Sequence, residues 1–301
     1  MHRSSENSRK AWNRLTEKGT ATREAAHLLK VGIEAYLNRF SQKYLEVDSG
    51  ETCKLVLGAN GEGKSHLLLC VRERALREGH LVALLEARNS GAGESELLFA
   101  QELLRKIETP ETLESPSDNE NAWVRVFRGA VDRKRKQALE RGLDPEEILP
   151  VWASGFRTKD LPPLGFAQAI TDGLVGTLSN DEDRVLDAIR RLTFDATKLP
   201  KKDQKVQGAS LLRTCVRIPQ LLLYKPLVLL IDEAEGVVDK AGSRRKQEFM
   251  MFLRFVSDHM AQGESGSAIV LIACTDDFWP AQFDSYIALR DRLRDPGYDE
   301  P

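Results

Sequence analysis

The sequence has few cysteines and histidines, and their spacing excludes a resident metal site built from them. Its four cysteines form no Cys-x-x-Cys pair and have no histidine at ligand spacing, and its five histidines form no cluster of their own. A metal ion would therefore have to arrive with a ligand. Cys53, Cys70 and Cys274 stand in apolar runs, so we expect them to be small buried hydrophobes, whereas Cys215 carries no separate prediction.

Neither sign of charge dominates, and long hydrophobic runs are missing. The 44 Lys and Arg against 46 Asp and Glu leave a net charge of -2, which excludes a strongly basic nucleic-acid coat and an acidic disordered tail. The longest apolar runs are far below the roughly 18 residues of a membrane span. The first residues have no apolar core typical of a signal peptide. We therefore expect a soluble, cytoplasmic protein without a membrane partner.

Short apolar segments indicate an α/β fold with a parallel sheet. The run from Cys53 to Leu57 is typical of a buried strand, the stretch from Ser65 to about Arg77 of a helix, and His80–Glu86 of a second strand. Strand, helix and strand in this order form a βαβ unit, whose strands are parallel. Two further strand patterns follow much later, at Leu227–Ile231 and Ala268–Cys274.

The segments between these strands divide the chain into four parts. Residues 1–48 form a polar tail and an amphipathic helical region, with a bend expected at Gly32, and residues 49–109 the first part of the α/β core. Residues 110–224 are predicted to be an all-helical insertion, and residues 225–301 the second part of the core. The helical patterns of the insertion are Ala122–Arg141, Leu164–Leu178, Asp181–Phe194 and Ala209–Leu223.

A glycine-rich segment after the first predicted strand matches the phosphate-binding pattern G-x-x-x-x-G-K-[ST]. Its glycines let the backbone wrap closely around phosphate, and the helix that begins near Lys64 directs its positive end at the same anion. The predicted nucleotide-binding residues are Gly58, Ala59, Asn60, Gly61, Glu62, Gly63, Lys64, Ser65 and His66.

Three side chains of this segment receive separate predictions. Lys64 is expected to hold the β- and γ-phosphates and Ser65 to bind Mg²⁺, so that ATP and Mg²⁺ are the predicted cofactors. Glu62 is unusual because it is an acid within a loop that binds anions. We expect its side chain to point to solvent and to weaken nucleotide affinity without abolishing it.

The strand pattern Leu227–Ile231 ends in two carboxylates, Asp232 and Glu233. Ligands of open α/β sheets bind at the carboxyl ends of the strands, so both acids belong to the predicted site. Asp232 is expected to hold Mg²⁺, directly or through water, and Glu233 to polarise the water that attacks the γ-phosphate. Glu235, two residues further on, is expected to be a helix-start or solvent residue.

The last strand pattern is followed by Thr275 and, later, by closely spaced arginines. Thr275 is a candidate to hold the attacking water or the γ-phosphate, or else a simple cap of the strand end. Arg290, Arg292 and Arg294 are candidates to reach the γ-phosphate of a neighbouring subunit, with Arg290 or Arg292 preferred. The alternative for all three is an exposed helix with Arg–Asp pairs.

Missing motifs narrow the reaction. An Asn-Lys-x-Asp motif for guanine is absent, which argues against a GTPase, and a Leu-Ser-Gly-Gly-Gln signature is absent, which argues against a transporter-type ATPase. The candidate catalytic acid Glu233 directly follows Asp232, an arrangement that suits attack by water better than transfer to a small metabolite. Hydrolysis of ATP is the reaction that fits best.

Three basic clusters could contact nucleic-acid backbone without reading its sequence. They are Arg133–Lys136, the lysines of Lys198–Lys205, and Arg244–Lys246. Nearby acids dilute each cluster, so a solvated helix face is the alternative for all of them. Non-specific DNA contact is thus an open prediction.

These motifs together resemble the AAA+ branch of P-loop ATPases. A narrower resemblance, to the ATP-binding proteins of bacterial phage-exclusion (BREX) systems, the BrxD-like family, rests on Leu55–Leu68, Leu230–Glu235 and Ile287–Leu293. The resemblance implies an AAA+/ASCE-like P-loop NTPase sheet, with the insertion between its second strand and the strand that carries Asp232. It also implies an ATPase that works with defence partners on DNA. Family members continue into a C-terminal helical lid, which we expect to be incomplete here because the chain stops at Pro301.

The leading hypothesis is an ATP-hydrolysing motor or switch in antiphage defence. It would assemble as a homo-oligomer, or as a hetero-oligomer with another ATPase or a defence-system subunit. The alternative is a nucleotide-gated scaffold that hydrolyses slowly or not at all and recruits a protein partner through the insertion. A third hypothesis is a site-nonspecific DNA-binding protein with a vestigial ATP site.

Overall fold

A computed structural model describes residues 33–46, 52–92, 94–114, 120–157, 161, 165–193, 201–237, 243–259 and 268–276. The strands are β1 (Thr52–Leu57), β2 (His80–Glu86), β3 (Ile107–Glu108), β4 (Lys225–Asp232) and β5 (Ala268–Cys274). The helices are α1 (Glu34–Phe40), α2 (Lys64–Arg77), α3 (Glu96–Arg105), α4 (Glu111–Glu114), α5 (Ala122–Glu140), α6 (Pro145–Ala153), α7 (Phe166–Ser179), α8 (Glu182–Leu192), α9 (Lys201–Leu221) and α10 (Ser243–His259). The predicted bend at Gly32 lies outside the described residues.

The five strands form one mixed sheet in the order β1-β5-β4-β2-β3. Four of them are parallel, and the short β3 pairs with β2 in the antiparallel sense. The prediction of a parallel sheet is thus confirmed for four strands and wrong for the fifth. A two-residue strand carries too little periodicity to be recognised in a sequence. β3 pairs with the edge of β2 after α3 has reversed the direction of the chain.

Alternate residues of the strands face two separate hydrophobic cores. In β4, Leu227, Leu229 and Ile231 pack into the core that contains the insertion, whereas Val228 and Leu230 pack into the smaller core under α1 and α2. Strands buried on both faces are expected to be continuously apolar, which explains why β4 and β5 appear in the sequence as unbroken hydrophobic runs. The sheet is therefore covered by helices on both sides.

In the described part of residues 110–224 the regular structure is helical. The helix α6 was not predicted, although Asp144 caps it by accepting from the backbone N–H of Glu146 at 3.0 Å and Pro145 occupies its first turn. The helix α9 is longer than its sequence pattern, which begins at residue 209.

One contact packs the insertion against the α/β core, and another holds its last residue, Tyr224, where the chain enters β4. A Cβ atom at Gly208 would lie only 2.6 Å from the backbone nitrogen of Leu97, so α9 packs backbone to backbone against α3. Tyr224, the residue before β4, donates its hydroxyl to the carbonyl of Val126 at 3.0 Å. The guanidinium of Arg133 stacks 3.9 Å from the Tyr224 ring centroid. The start of the strand that carries Asp232 is thus held next to α5 through Tyr224.

A buried ion pair joins α2 to the edge of the sheet. Arg72 donates through Nε to both carboxylate oxygens of Glu108, at 2.9 and 3.0 Å, and its Nη2 also contacts Oε2. The two side chains are only 7% and 11% exposed. Removing one member of such a pair leaves an uncompensated charge in the interior.

Replacing Glu108 with leucine is expected to lower the free energy of unfolding by about 3 kcal/mol or more. The variant that also carries Arg72→Met should recover most of that loss, because two apolar side chains then replace two charges that required each other. Urea unfolding followed by circular dichroism measures both, with Glu140→Gln on the exposed end of α5 as the control. A double variant as unstable as the single one would contradict this account.

Candidate functional site

The four parallel strands bring four loops to one edge of the sheet. At that edge Leu57 of β1 pairs with Cys274 of β5, and Glu86 of β2 pairs with Asp232 of β4. The segments that follow these strands therefore emerge side by side, although they lie far apart in the sequence. This is the edge at which open α/β sheets bind their ligands.

The glycine-rich segment Gly58–Ser65 connects β1 to α2 at this edge. Gly61 and Gly63 have φ angles of 88° and 89°, a left-handed conformation that other residues rarely adopt. Gly63 precedes α2, and no side chain caps the first turn of that helix. The backbone N–H groups of this turn can therefore serve an anion.

Two charged side chains of the segment are engaged with its own backbone. Lys64 donates through Nζ to the carbonyl oxygens of Gly58 at 2.7 Å and Ala59 at 3.0 Å. Glu62 accepts through Oε2 from the backbone N–H of Ala59 at 2.8 Å. A Cβ atom at Gly58 would meet the same oxygen at 2.8 Å, so the carboxylate lies against the loop.

Glu62 is exposed, in line with the prediction that it faces solvent. The prediction did not include the contact by which its carboxylate also accepts from the loop. The physical reason is that an unpaired amide of a glycine-rich turn is the nearest strong donor for a carboxylate three residues away. An anionic ligand would have to compete with Glu62 for that amide.

The two acids after β4 have different surroundings. Asp232 accepts through Oδ1 from the backbone N–H of Glu233 at 2.9 Å, which orients its carboxylate at the end of the strand. Glu233 is exposed and has a φ angle of 52°. Left-handed conformations of residues other than glycine cost about 1–2 kcal/mol and are concentrated at functional sites. The turn thus holds Glu233 in a left-handed backbone conformation that residues with a side chain disfavour.

A cavity of about 370 Å³ lies where these four loops meet. Ala59 and Asn60 line it from the glycine-rich segment, Glu233 from the turn after β4, and Thr275 from the end of β5. The structure therefore brings together four residues that the sequence placed in one site. Its remaining lining residues are Arg88, Glu235, Gly236 and Asp276.

Glu235 lies in the first turn of the short 3-10 helix Ala234–Val237, which agrees with the prediction of a helix-start residue, and it also lines this cavity. The short 3-10 turn Ala234–Val237 turns its side chain inward, where it is half-buried. Burial raises the pKa of the Glu235 carboxyl, and hydrogen bonds from backbone amides, including that of Thr275, together with the charge of Lys64, oppose the shift. The buried residues Ala234 and Val237 hold this turn in place. Two apolar residues in a four-residue turn are too few to be recognised as a pattern in the sequence.

A second cavity, of about 280 Å³, lies beside the first turn of α2. Ser65 and Asp232, the two predicted Mg²⁺ ligands, both line it, together with Glu86 and Asn89 at the end of β2. The described residues contain no group of three or more His, Cys, Asp or Glu side chains suited to a metal ion. A hydroxyl and a carboxylate alone fit Mg²⁺, which keeps several waters and takes further ligands from phosphate.

Other predicted residues lie apart from the cavities or outside the described part of the chain. His66 points along α2, with its Nε2 3.7 Å from the sulfur of Cys70. Arg290, Arg292 and Arg294 lie outside the described residues, so no contact is assigned to them. All four cysteines are buried, which confirms the prediction made for three of them.

The basic cluster Arg133–Lys136 is engaged within the fold. Besides stacking on Tyr224, Arg133 forms an ion pair with Glu111 at 2.8 Å. Arg135 lies 3.6 Å from Asp132, and Lys136 lies 3.9 Å from Glu140. These pairings favour the alternative of a solvated and partly structural helix face. The side chains of Arg244 and Arg245 and of Lys198–Lys205 lie outside the described part.

Arg88, Glu235 and Asp276 line the first cavity with functional groups that the sequence did not place in the site. Arg88 follows β2 closely, and a search of every strand end for polar residues would have found it. Glu235 had such a signal in its proximity to Asp232, but its inward direction depends on the turn.

Comparison with protein-family models, curated proteins and solved structures finds no match for this chain. The resemblance to AAA+ ATPases therefore stays a prediction that rests on the quoted motifs. Within the described residues, none of the helices combines the length and apolar character required to cross a bilayer.

Replacing Glu62 with alanine is expected to tighten binding of ADP and of inorganic phosphate by about tenfold. The substitution removes both a negative charge and the acceptor that occupies the Ala59 amide, and charge-assisted hydrogen bonds of this kind are worth about 1.5–3 kcal/mol. Glu62→Gln should give a smaller gain, because it removes the charge alone. Isothermal titration calorimetry measures the affinities, with Glu140→Gln as the control, and weaker binding by Glu62→Ala would contradict the competition.

Replacing Glu235 with glutamine is expected to stabilise the protein more at neutral than at acidic pH. Because the folded-state pKa of Glu235 is raised above 4.5, the folded protein disfavours the carboxylate and loses stability as the pH rises through the interval between the unfolded and folded values. Below the pKa of Glu235 in the unfolded state, the carboxyl is protonated in both the folded and the unfolded protein. The pH-dependent part of the difference in free energy of unfolding between the two proteins then vanishes. Thermal unfolding of both proteins at a series of pH values tests this, and an advantage that grew toward acidic pH would contradict it.

Proposed function

We propose that this chain binds ATP with Mg²⁺ and hydrolyses it, as a P-loop NTPase of the AAA+/ASCE-like type. The observation that carries the proposal is the convergence of Ala59, Asn60, Glu233 and Thr275 on one cavity at the carboxyl edge of the sheet. A phosphate-binding motif alone would not indicate hydrolysis. An acid and a hydroxyl beside it supply the groups that water attack needs.

The glycine-rich segment binds the phosphates in this proposal. Amides of the loop and of the first turn of α2 donate to the phosphate oxygens. Lys64 leaves the carbonyls of Gly58 and Ala59 and turns its ammonium to the β- and γ-phosphates. Ser65 and Asp232 would hold Mg²⁺, which would supply positive charge to neutralise the phosphates.

Glu233 and Thr275 act on the attacking water. The Glu233 carboxylate accepts a proton from the water as its oxygen bonds to the γ-phosphorus. The bond from that phosphorus to the bridging oxygen breaks, the electron pair stays with ADP, and inorganic phosphate leaves. Thr275 orients the water or the γ-phosphate through its hydroxyl. The exposure of Glu233 supports its access to solvent water.

The wider biological role is proposed on the resemblance alone. We infer a motor or switch that acts with partners on DNA in antiphage defence, as a homo-oligomer or with another ATPase or defence-system subunit. Arg290 or Arg292 would then reach the γ-phosphate of a neighbouring subunit. The pairing of Arg133, Arg135 and Lys136 with acids makes that cluster a weak candidate for DNA contact.

A nucleotide-gated scaffold is the second candidate, and one observation favours it. Lys64 and Glu62 are both satisfied by the backbone of their own loop, so nucleotide binding must break these contacts before it gains others. An affinity lowered in this way suits a protein that responds to nucleotide concentration. In such a protein the insertion, fixed to β4 through Tyr224, would recruit the partner.

Glu233→Gln is expected to keep ATP binding and to lower turnover by roughly two orders of magnitude or more, because the amide cannot accept the proton of water. Steady-state hydrolysis is measured with and without duplex DNA at several protein concentrations, with Lys64→Ala as the blank. Turnover that rises with DNA and with protein concentration would support the assembling motor. ATP binding without turnover in the unmodified protein would favour the scaffold, and unchanged turnover in Glu233→Gln would remove Glu233 from catalysis.

A further inference from the structure

Arg88 occupies a fixed position at the carboxyl edge of the sheet. It lies in the short 3-10 turn Ala87–Asn89 that follows β2. The turn is held on both sides of Arg88, because Ala87 is buried and the buried Ser90 donates its hydroxyl to the Ala87 carbonyl at 3.0 Å. Asn89 donates to the Glu86 carboxylate at 2.6 Å. The backbone of Arg88 is therefore placed by packing and hydrogen bonds, whereas its side chain is exposed.

The guanidinium of Arg88 lies against Gly236, in the cavity that Ala59 and Asn60 also line. Its Nε donates to the Gly236 carbonyl at 3.4 Å, a long hydrogen bond. A Cβ atom at Gly236 would lie 3.3 Å from both Nε and Nη2 of Arg88. Glycine at this position thus leaves room for the guanidinium to lie over the turn after β4.

The charges around the cavity leave this guanidinium without a carboxylate partner. Among the residues described, Arg88 makes no ion pair within 4.0 Å, although Glu233, Glu235 and Asp276 line the same cavity. Arg88 is also the sole cationic residue among the described side chains that line it. A guanidinium carries five N–H donors, so most of them remain available to an anion.

We propose that Arg88 binds the terminal phosphate of ATP held by its own chain and acts as an arginine finger in cis, an inference that rests on the proposed function. An anion in this cavity would meet Asn60 and Ala59 of the glycine-rich segment and Arg88 of the turn after β2. Three acids line the cavity, and a guanidinium beside them lowers the electrostatic cost of bringing a highly charged phosphoryl group there. Arginine suits this task because its planar fork donates to two phosphate oxygens at once.

This assignment changes what the chain requires for hydrolysis. Charge that develops on the γ-phosphate oxygens in the transition state would be stabilised by Arg88 without a neighbouring subunit. A residue that contacts only the terminal phosphate also distinguishes ATP from ADP. Turnover and nucleotide discrimination therefore provide two separate measurements of one contact.

The first experiment compares hydrolysis by the full chain and its Arg88→Ala, Arg88→Lys and Arg105→Ala variants. Arginine fingers contribute about 10³–10⁵ in turnover, so Arg88→Ala should lower kcat by at least about 100-fold. Arg88→Lys should retain part of the activity, because the charge remains and the two-pronged geometry is lost. Arg105 is an exposed arginine of α3 that lines neither cavity, and its replacement should leave kcat unchanged.

The second experiment measures binding without turnover. Calorimetry measures the affinities for a non-hydrolysable ATP analogue and for ADP. Arg88→Ala should lower the affinity for the analogue by about tenfold, the effect of one lost charge-assisted contact, and change the affinity for ADP by less than about twofold. A merely structural role would weaken both nucleotides equally and would overturn the proposal. Circular dichroism and thermal unfolding of the variant confirm that it is folded.

Mixing two defective variants distinguishes action in cis from action in trans. Arg88→Ala retains Lys64 and lacks the arginine, whereas Lys64→Ala retains the arginine and lacks phosphate binding. If Arg88 serves its own chain, the mixture stays as inactive as its components. Recovery of turnover on mixing would overturn the assignment in cis.

The outcomes separate failure of this inference from failure of the proposed function. If Arg88→Ala retains Lys64-dependent turnover and binds the analogue as the unmodified chain does, the role of Arg88 is overturned and the proposed ATPase activity stands. If the unmodified chain shows neither nucleotide binding nor Lys64-dependent turnover, both proposals are overturned. If the chain binds nucleotide without turnover, the ratio of analogue to ADP affinity decides the matter.

Discussion

The site depends on the parallel alignment of four strands, because only that alignment brings their following loops to one edge. Hydrogen bonding between β1, β5, β4 and β2 fixes the register that brings Leu57, Cys274, Asp232 and Glu86 to the same edge of the sheet. Each strand is held between two hydrophobic cores. A slip of one residue in a strand would exchange the faces of all its side chains, so the cores hold the register. The precision of the site thus derives from burial far from the site itself.

At this edge two charged side chains of the glycine-rich segment are hydrogen-bonded to its own backbone. Lys64 and Glu62 bind the backbone of their own loop with opposite charges, and both contacts must open when an anion enters. A loop already held by its own hydrogen bonds would lose less entropy on binding an anion. It would also bind that anion with a lower net affinity, because existing hydrogen bonds are exchanged for new ones. The balance between these two effects would set the affinity for the anion.

The insertion is connected to the site by packing as well as by sequence. The helix α9 lies against α3 at Gly208, and Tyr224 ties the start of β4 to α5 through the Val126 carbonyl and the stacked guanidinium of Arg133. Asp232 and Glu233 stand at the other end of the same strand. A partner that bound the insertion would act on a strand whose far end carries two acids of the candidate site. The same contacts explain why Arg133 is a structural residue despite its place in a basic cluster.

Features with local signals could be predicted from the amino-acid sequence. The glycine-rich motif, the unbroken apolar runs of β4 and β5, and the acids at the end of β4 are recognisable because hydrophobic periodicity and glycine conformation act over a few neighbouring residues. The helix α6 also carries such a signal, in Asp144 and Pro145. Other features required the folded chain: the pairing of β3 with β2, the turn of Glu62 onto its own loop, and the meeting of Glu235 and Arg88 at one cavity. These features depend on contacts between residues distant in sequence and on the direction of short turns, and neither is encoded in the spacing of residue types along the chain.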